Sequence, residues 1–350
     1  MSTRKKKEQL PQKDAMEIKP STKKNLERRQ KYAYALTAKY RMQLANTVFV
    51  AETNPQDLRY VDLTLKKMYN VQAQIGAIPL SVLCGTVMGD GGLYRHAAFD
   101  PDTNQWVNKS YQQIKCKYPA TTKVGFLFKH STRQAEWFYW KSLGALGAFC
   151  PIDTSFAFLR PEGYQREAYV EPYEIYGKLL VQSIAYAQLI DIFDILYAKG
   201  RKCFERKWLN HMNNYFLMTL WLDDGSLMNK TQGTLCLNST PLKELYVLRD
   251  YLQTVWGIKM HPTKVPSKAT ATNPDPHQLD FDRQVDLLNF LRIIAPIIPV
   301  KTMLYKVCFF HHDLDCRQRW TASLKAMVRL EWHEYIDYYY LGLNAILDPD

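Results

Sequence analysis

Asp90 and Asp224 stand in two stretches of similar lettering, Leu83 to Leu93 (LCGTVMGDGGL) and Leu217 to Leu227 (LMTLWLDDGSL), 134 positions apart (224 − 90). Each acid is followed by a glycine and preceded by an apolar helical turn. The duplication places one carboxylate at the C-terminal end of each of two matching helices, where the helix dipole adds negative potential and a bare carboxylate is disfavoured. A pseudo-symmetric protein that acts on both strands of a duplex needs this arrangement. One Asp-Gly alone reads most simply as a helix-stop turn; two copies in register carry the chemical reading.

The elements that must position these acids repeat as well. Ser131-Thr132 with Glu136-Trp137-Phe138 is echoed by Ser239-Thr240 with Glu244-Leu245-Tyr246, at an offset of 108 (239 − 131). The first half is therefore longer here by 134 − 108 = 26 residues, and the excess falls around Ala97 to Lys123. There Asp100-Pro101-Asp102-Thr103-Asn104 signals a turn between alternating flanks, which predicts a long hairpin. Each half reads in one order: apolar helix ending in Asp-Gly, strands, a helix, further strands. In the first half the pattern predicts helices over Ala135 to Leu146 and Val181 to Leu196. In the second it predicts strands over Thr234 to Asn238 and Gln278 to Phe281, and helices over Leu242 to Val255 and Arg283 to Ile294.

Length and composition bound the rest. A chain of 350 residues, 47% hydrophobic, can bury a sizeable core as one large domain or two. With 46 Lys+Arg against 34 Asp+Glu the net charge is +12, which favours a polyanionic partner. No run of 18 apolar residues occurs, so no membrane span is expected. Seven scattered cysteines without zinc-ligand spacing predict a reduced intracellular compartment. Residues 1–45 hold 13 Lys/Arg and 4 Asp/Glu, so 13 − 4 = +9 of the total sits there. Ser21 can cap a basic helix through Lys23, Arg28 and Arg29. That tail is either a solvated solubility segment or a phosphate-binding arm that orders on nucleic acid.

The paired motifs, together with Leu291 to Val307 (LRIIAPIIPVKTMLYKV) and the Gly200-Arg201-Lys202 turn, resemble the LAGLIDADG homing endonuclease family in its single-chain, two-motif form. The resemblance covers roughly residues 77–310. It implies a mixed α/β (α+β) fold of two duplicated αββαββα halves that form a saddle-shaped antiparallel sheet. Basic N-terminal and helical C-terminal extensions flank them. The corresponding divisions are 1–75, 76–205, 206–310 and 311–350.

The resemblance further implies that Asp90 and Asp224 are the metal-binding acids, one per DNA strand, with Gly85 and Gly89 letting the two helices approach. Thr219 and Asp223 occupy the matching places, and Asp223, with no acid opposite it, reads as structural. Mg²⁺ fits such oxygen ligands, and metal ions there lower the pKa of an attacking water and stabilise a leaving oxygen. Lys306 matches the family's active-site lysine and Lys202 is its first-half counterpart, although Cys203-Phe204-Glu205 departs from the family pattern. Lys129 and Asn238 take positions that resemble polar residues around the attacking water. Gln113, Lys115 and Lys117, alternating near Tyr111, suit a strand face turned to a nucleic-acid groove.

Two function classes follow. One is a metal-dependent endonuclease that makes a double-strand cut in DNA. The other is a non-catalytic descendant that holds structured RNA, such as ribosomal or intron RNA, as a maturase or beside ribosomal or other ribonucleoprotein partners. Either fits a monomer with internal two-fold symmetry in an organelle, the mitochondrion ahead of the chloroplast. Two further clusters have simpler readings. His311-His312-Asp313 with Asp315 and Cys316 lacks a completing ligand pair, and Trp332 to Tyr340 has the aromatic spacing of a helix that packs on the domain.

Overall fold

The computed structural model describes residues 76–95, 97–100, 105–108, 124–150, 155–159, 178–183, 185–197, 200–228, 232–271 and 273–347. The first half runs α1 (Ala77–Met88), β1 (Gly91–Tyr94), a hairpin of β2 (Ala97–Asp100) and β3 (Gln105–Asn108), and β4 (Gly125–Ser131). It continues with α2 (Ala135–Tyr139), a π-helical extension over Trp140–Ala145, β5 (Ser155–Leu159), β6 (Lys178–Gln182) and α3 (Ile190–Leu196). After the short α4 (Arg206–Leu209), the second half runs α5 (Asn214–Asp224), β7 (Gly225–Met228), β8 (Gln232–Leu235), α6 (Leu242–Trp256), β9 (Met260–Lys264), β10 (His277–Phe281) and α7 (Gln284–Ile294). A 3₁₀ segment (Lys301–Lys306) closes it, and α8 (Leu314–Met327) and α9 (His333–Leu347) follow.

The two sheets have one topology. Strand order is β1-β4-β6-β5 in the first and β7-β8-β10-β9 in the second, and each neighbour pair is antiparallel. Each half is thus αββαββα, and the first carries the β2-β3 hairpin as an insertion where 26 extra residues were expected.

At the centre α1 packs along α5. Leu80 to Met88 and Phe216 to Asp223 are buried without a break, so neither helix has a solvent stripe. A Cβ on Gly85 would lie 2.7 Å from the Thr219 Cβ, and one on Gly89 would lie 2.8 Å from the Asp223 Cβ. Gly85 and Thr219, like Gly89 and Asp223, are 134 positions apart. Residues in equivalent places therefore touch one another, as they must where a two-fold axis passes between two helices.

The halves also exchange contacts further out. Glu136 on α2 accepts a hydrogen bond from the Thr302 hydroxyl at 2.9 Å, while its repeat-mate Glu244 on α6 accepts from Arg201 at 2.5 Å and from the Phe204 N–H at 3.0 Å. The C-terminal helices pack on the end of the second half: Trp320 donates to the Val307 carbonyl at 3.2 Å and Tyr340 to the Phe309 carbonyl at 2.8 Å. The aromatic spacing at Trp332 to Tyr340 is thus that of a packed helix, with Trp332, Ile336 and Tyr340 buried.

Two elements differ from the sequence expectation. The predicted helix over Val181 to Leu196 is instead strand β6 followed by the seven-residue α3. β6 lies between β4 and β5, with Leu179 and Val181 buried and Gln182 exposed. Apolar residues on both faces of this internal strand erase the alternation that would distinguish it from a helix. The strand expected to reach Asn238 ends at Leu235, because the Thr240 N–H bonds back to the Leu237 carbonyl at 2.9 Å and turns the chain into α6.

Candidate metal centre at the paired helix ends

The packing of α1 on α5 brings Asp90 and Asp224 to one end of the helix pair. The two carboxylates are close enough for their charges to interact, but their surroundings differ. The Asp90 side chain is 43% exposed. Asp224 is partly buried, and burial first, then the negative charges of Asp90 and Asp223, push its carboxyl up to about 8. Without a counter-cation this acid holds its proton at neutral pH.

Lys202 and Lys306 take equivalent positions against the two helix ends. Lys202 Nζ donates to the carbonyls of Val87 at 2.9 Å, Gly89 at 3.3 Å and Gly91 at 3.1 Å. Lys306 Nζ donates to those of Asp223 at 3.2 Å and Gly225 at 2.9 Å. Gly89 and Gly91 become Asp223 and Gly225 on adding 134, so the same carbonyls are gripped in each half. Each ammonium satisfies carbonyls that a helix terminus leaves unpaired and offsets the negative end of its dipole. Burial lowers the pKa of both lysines, and the neighbouring aspartates oppose that shift.

A third acid is spent on structure. Asp223 Oδ1 accepts from Trp137 Nε1 at 2.8 Å and from Lys141 Nζ at 2.9 Å, and Oδ2 accepts from Lys141 Nζ at 2.8 Å. The side chains of Asp223 and Lys141 are fully buried. The Lys141 ammonium also lies 4.5 Å from the centre of the Phe128 ring. Burial lowers the Lys141 pKa, and Asp223 is the main group opposing it. The reading of Asp223 as structural agrees with this geometry.

His130 is the residue that the sequence reading missed. It lies on β4 and is fully buried, with Nδ1 3.5 Å from Asp90 Oδ2 and Nε2 3.5 Å from Asp223 Oδ1. Neither ring nitrogen makes a well-formed hydrogen bond. Burial, then the charges of Lys141 and Lys306, hold the ring neutral; the Gln134 amide favours the proton but is outweighed. The 108 offset pairs His130 with Asn238, whose side-chain oxygen is also buried without a partner. It therefore pairs Lys129 with Leu237 and not with Asn238. Strand alternation turns Lys129 outward, away from the carboxylates.

On that outward side the first sheet also exposes Gln182, and the second exposes Gln232, His261 and, in part, Gln278. Lys115, Lys117 and Gln113, and the tail residues Lys23, Arg28 and Arg29, lie outside the described residues. His311, Asp313 and Cys316 converge, with ligand atoms within 4.8 Å of one another, but their donors are engaged. His311 Nδ1 accepts from the Asp313 N–H at 3.0 Å, its Nε2 is 3.1 Å from Gln284 Oε1, and Asp313 caps α8 through the Cys316 N–H at 2.7 Å.

The donor chemistry at the paired helix ends fits a divalent cation. Two carboxylates share one negative region, the Asp224 carboxyl raised by burial first and by the charges of Asp90 and Asp223 next, and oxygen donors of this kind suit a hard cation.

Two αββαββα halves that meet at paired helices, each ending in an acid, define a single-chain, two-motif protein. Residues 80–272 match the LAGLIDADG DNA endonuclease family, and the chain belongs to it. Among solved structures, the homing endonuclease I-WcaI bound to its DNA recognition sequence is similar, with 14% identity and a TM-score of 0.48 over 74% of this chain and 99% of that one. No curated protein matches.

Proposed function

We propose that the protein is a divalent-metal-dependent DNA endonuclease that cuts both strands of a duplex, with Asp90 and Asp224 as the cation-holding acids and Mg²⁺ as the ion. The observation that carries this reading is the meeting of Asp90 and Asp224 at the ends of α1 and α5, each helix end gripped by its own lysine. A bound cation there supplies an attacking water of lowered pKa and stabilises the leaving oxygen.

The chain's own groups do the rest. Asp90 and Asp224 would hold the cation, one acid serving each strand. Lys202 and Lys306 lower the negative potential at the helix ends, so a phosphodiester can approach two carboxylates. His130 flanks Asp90 and Asp223 at 3.5 Å from each. Lys129 and Gln182 on the first sheet, and Gln232 and Gln278 on the second, face outward, where lysines set register on phosphates and amides read base edges. Gln113, Lys115, Lys117, Lys23, Arg28 and Arg29 extend this contact set.

A second reading, binding of structured RNA without cleavage in a mitochondrial ribosome or as an intron maturase, draws on the +9 charge of residues 1–45 (13 − 4) and on the appended α8 and α9. One experiment separates the two. The full chain is incubated with Mg²⁺ and a randomised duplex DNA library, together with DNA flanking its own gene, beside an Asp90→Asn, Asp224→Asn variant. Recovery of a cut site with wild type and none with the variant supports the endonuclease. No cut on any sequence, with retained RNA affinity, overturns it in favour of the binder.

A further inference from the structure

We propose that His130 is a nitrogen ligand for the divalent cation at the Asp90 side of the site, so that this protein takes an imidazole-accepting ion such as Mn²⁺ or Co²⁺ more tightly than its acid pair alone would. The inference rests on the cation-binding reading above and adds to it a residue outside the acid pair.

The geometry has three parts. First, His130 is fully buried, and neither of its ring nitrogens makes a well-formed hydrogen bond, although the Gln134 amide lies near enough to favour its proton. A buried polar group left unpaired is costly, so its persistence calls for an occupant. Second, its two nitrogens face different acids. Nε2 faces Asp223, whose carboxylate is fixed by Lys141 and Trp137 and cannot turn to other work. A neutral imidazole places its N–H toward that fixed anion, and a carboxylate that orients a ligating histidine through its other nitrogen is the usual outer support of a metal site.

Third, Nδ1 is then left with a lone pair aimed at Asp90 Oδ2, 3.5 Å away. A lone pair facing a carboxylate is unfavourable unless something positive lies between. The distance is too long for a good hydrogen bond and lies within the span of two donors that share one ion at about 2.0–2.2 Å from each. Asp90 is exposed while Asp224 is partly buried, so an ion can enter from the Asp90 side.

Ligand chemistry sets the metal preference. Mg²⁺ strongly prefers oxygen, whereas Mn²⁺ accepts an imidazole beside carboxylates and Co²⁺, later in the row, binds one more tightly. At the 108 offset the second half has Asn238, an amide where the first has an imidazole, so the nitrogen donor belongs to the first half only.

Mn²⁺ is the probe that tests this. The full-chain protein is titrated with Mn²⁺, bound ion is counted from the loss of the free-ion paramagnetic signal, and pulsed measurements detect nitrogen coupled to the bound ion. Wild type is expected to show bound Mn²⁺ with coupled imidazole nitrogen. In His130→Asn, which copies the second half, and in His130→Gln the coupling is expected to vanish, with Mn²⁺ affinity lower by about tenfold or more and Mg²⁺ affinity changed far less. Bound Mn²⁺ without nitrogen coupling in wild type, or coupling that persists in both variants, overturns the assignment of His130 and leaves the acid-pair reading standing. Failure of wild type to bind Mn²⁺ at all overturns both.

Discussion

The two halves share topology, helix register and lysine clamps, yet their centres have diverged. Where the first half has Gly89, the second has Asp223, and this acid reaches across the axis to a buried lysine of the first half. The mate of Lys141 at the 108 offset is Arg249, a partly exposed residue that pairs with its neighbour Asp250 and lies over the Tyr246 ring on its own helix. The axis therefore relates backbones more faithfully than side chains. Symmetry is kept where two helices must touch, and it is lost where one half has recruited a buried ion pair to fix its partner's histidine.

The largest expected effect breaks that pair. Lys141→Met leaves the Asp223 carboxylate buried and uncompensated, which should destabilise the protein by about 3–5 kcal/mol, read as a lowered urea midpoint. Adding Asp223→Asn should recover part of the loss. Arg249→Met, the same change at the mirrored place, should move stability by no more than about 0.5 kcal/mol. Equal effects at the two positions would remove the distinction drawn between the halves.

Next is the helix crossing. Gly85→Ala puts a methyl 2.7 Å from the Thr219 Cβ and 2.9 Å from the Phe216 carbonyl oxygen, so the helices must separate. We expect a loss of about 1–3 kcal/mol. Gly147→Ala, with nothing within 4 Å of the added carbon, should be close to neutral.

A pH dependence probes the acid pair itself. The Asp224 carboxyl is raised from 3.8 to about 8 in the metal-free fold, so between these values the folded protein binds more protons than the unfolded chain. Stability from this group is full below about pH 4 and is lost as pH rises through about 8, with a slope approaching one proton at most. Asp224→Asn should flatten the slope, and under the proposed function saturating Mg²⁺, by favouring the ionised form, should do the same. A wild-type profile between pH 4 and 8 that matches the variant's would contradict the shift.

Much of the fold was legible because the duplication supplies its own check. Two Asp-Gly helix ends at one offset, and two serine-threonine corners at another, place α1, α5, α2 and α6 without further help. Gly257, in the left-handed conformation, ends α6 close to where the pattern expected. β6 was lost because an internal strand with apolar residues on both faces reads like a helix. The Lys141–Asp223 pair was lost because its partners lie 82 positions apart with no local signature. His130 left one signal, the 108 offset that sets it opposite Asn238, but two unlike letters do not show as a repeat. Lys129, one position away, drew attention by its charge, yet strand alternation turns it to the opposite face.

The account depends most on Asp90 and Asp224 working as one cation-holding pair that serves both strands. Strand-specific end labels on a duplex carrying a recovered site test this directly, with wild type and the Asp90→Asn, Asp224→Asn variant compared with and without Mg²⁺. The account predicts one cut on each strand, requiring Mg²⁺, and a fall of at least about a thousandfold in the variant, the order of loss seen when a site's main electrostatic stabiliser is removed. Cutting that continues without a divalent cation, or that proceeds in the variant at the wild-type rate, would contradict it.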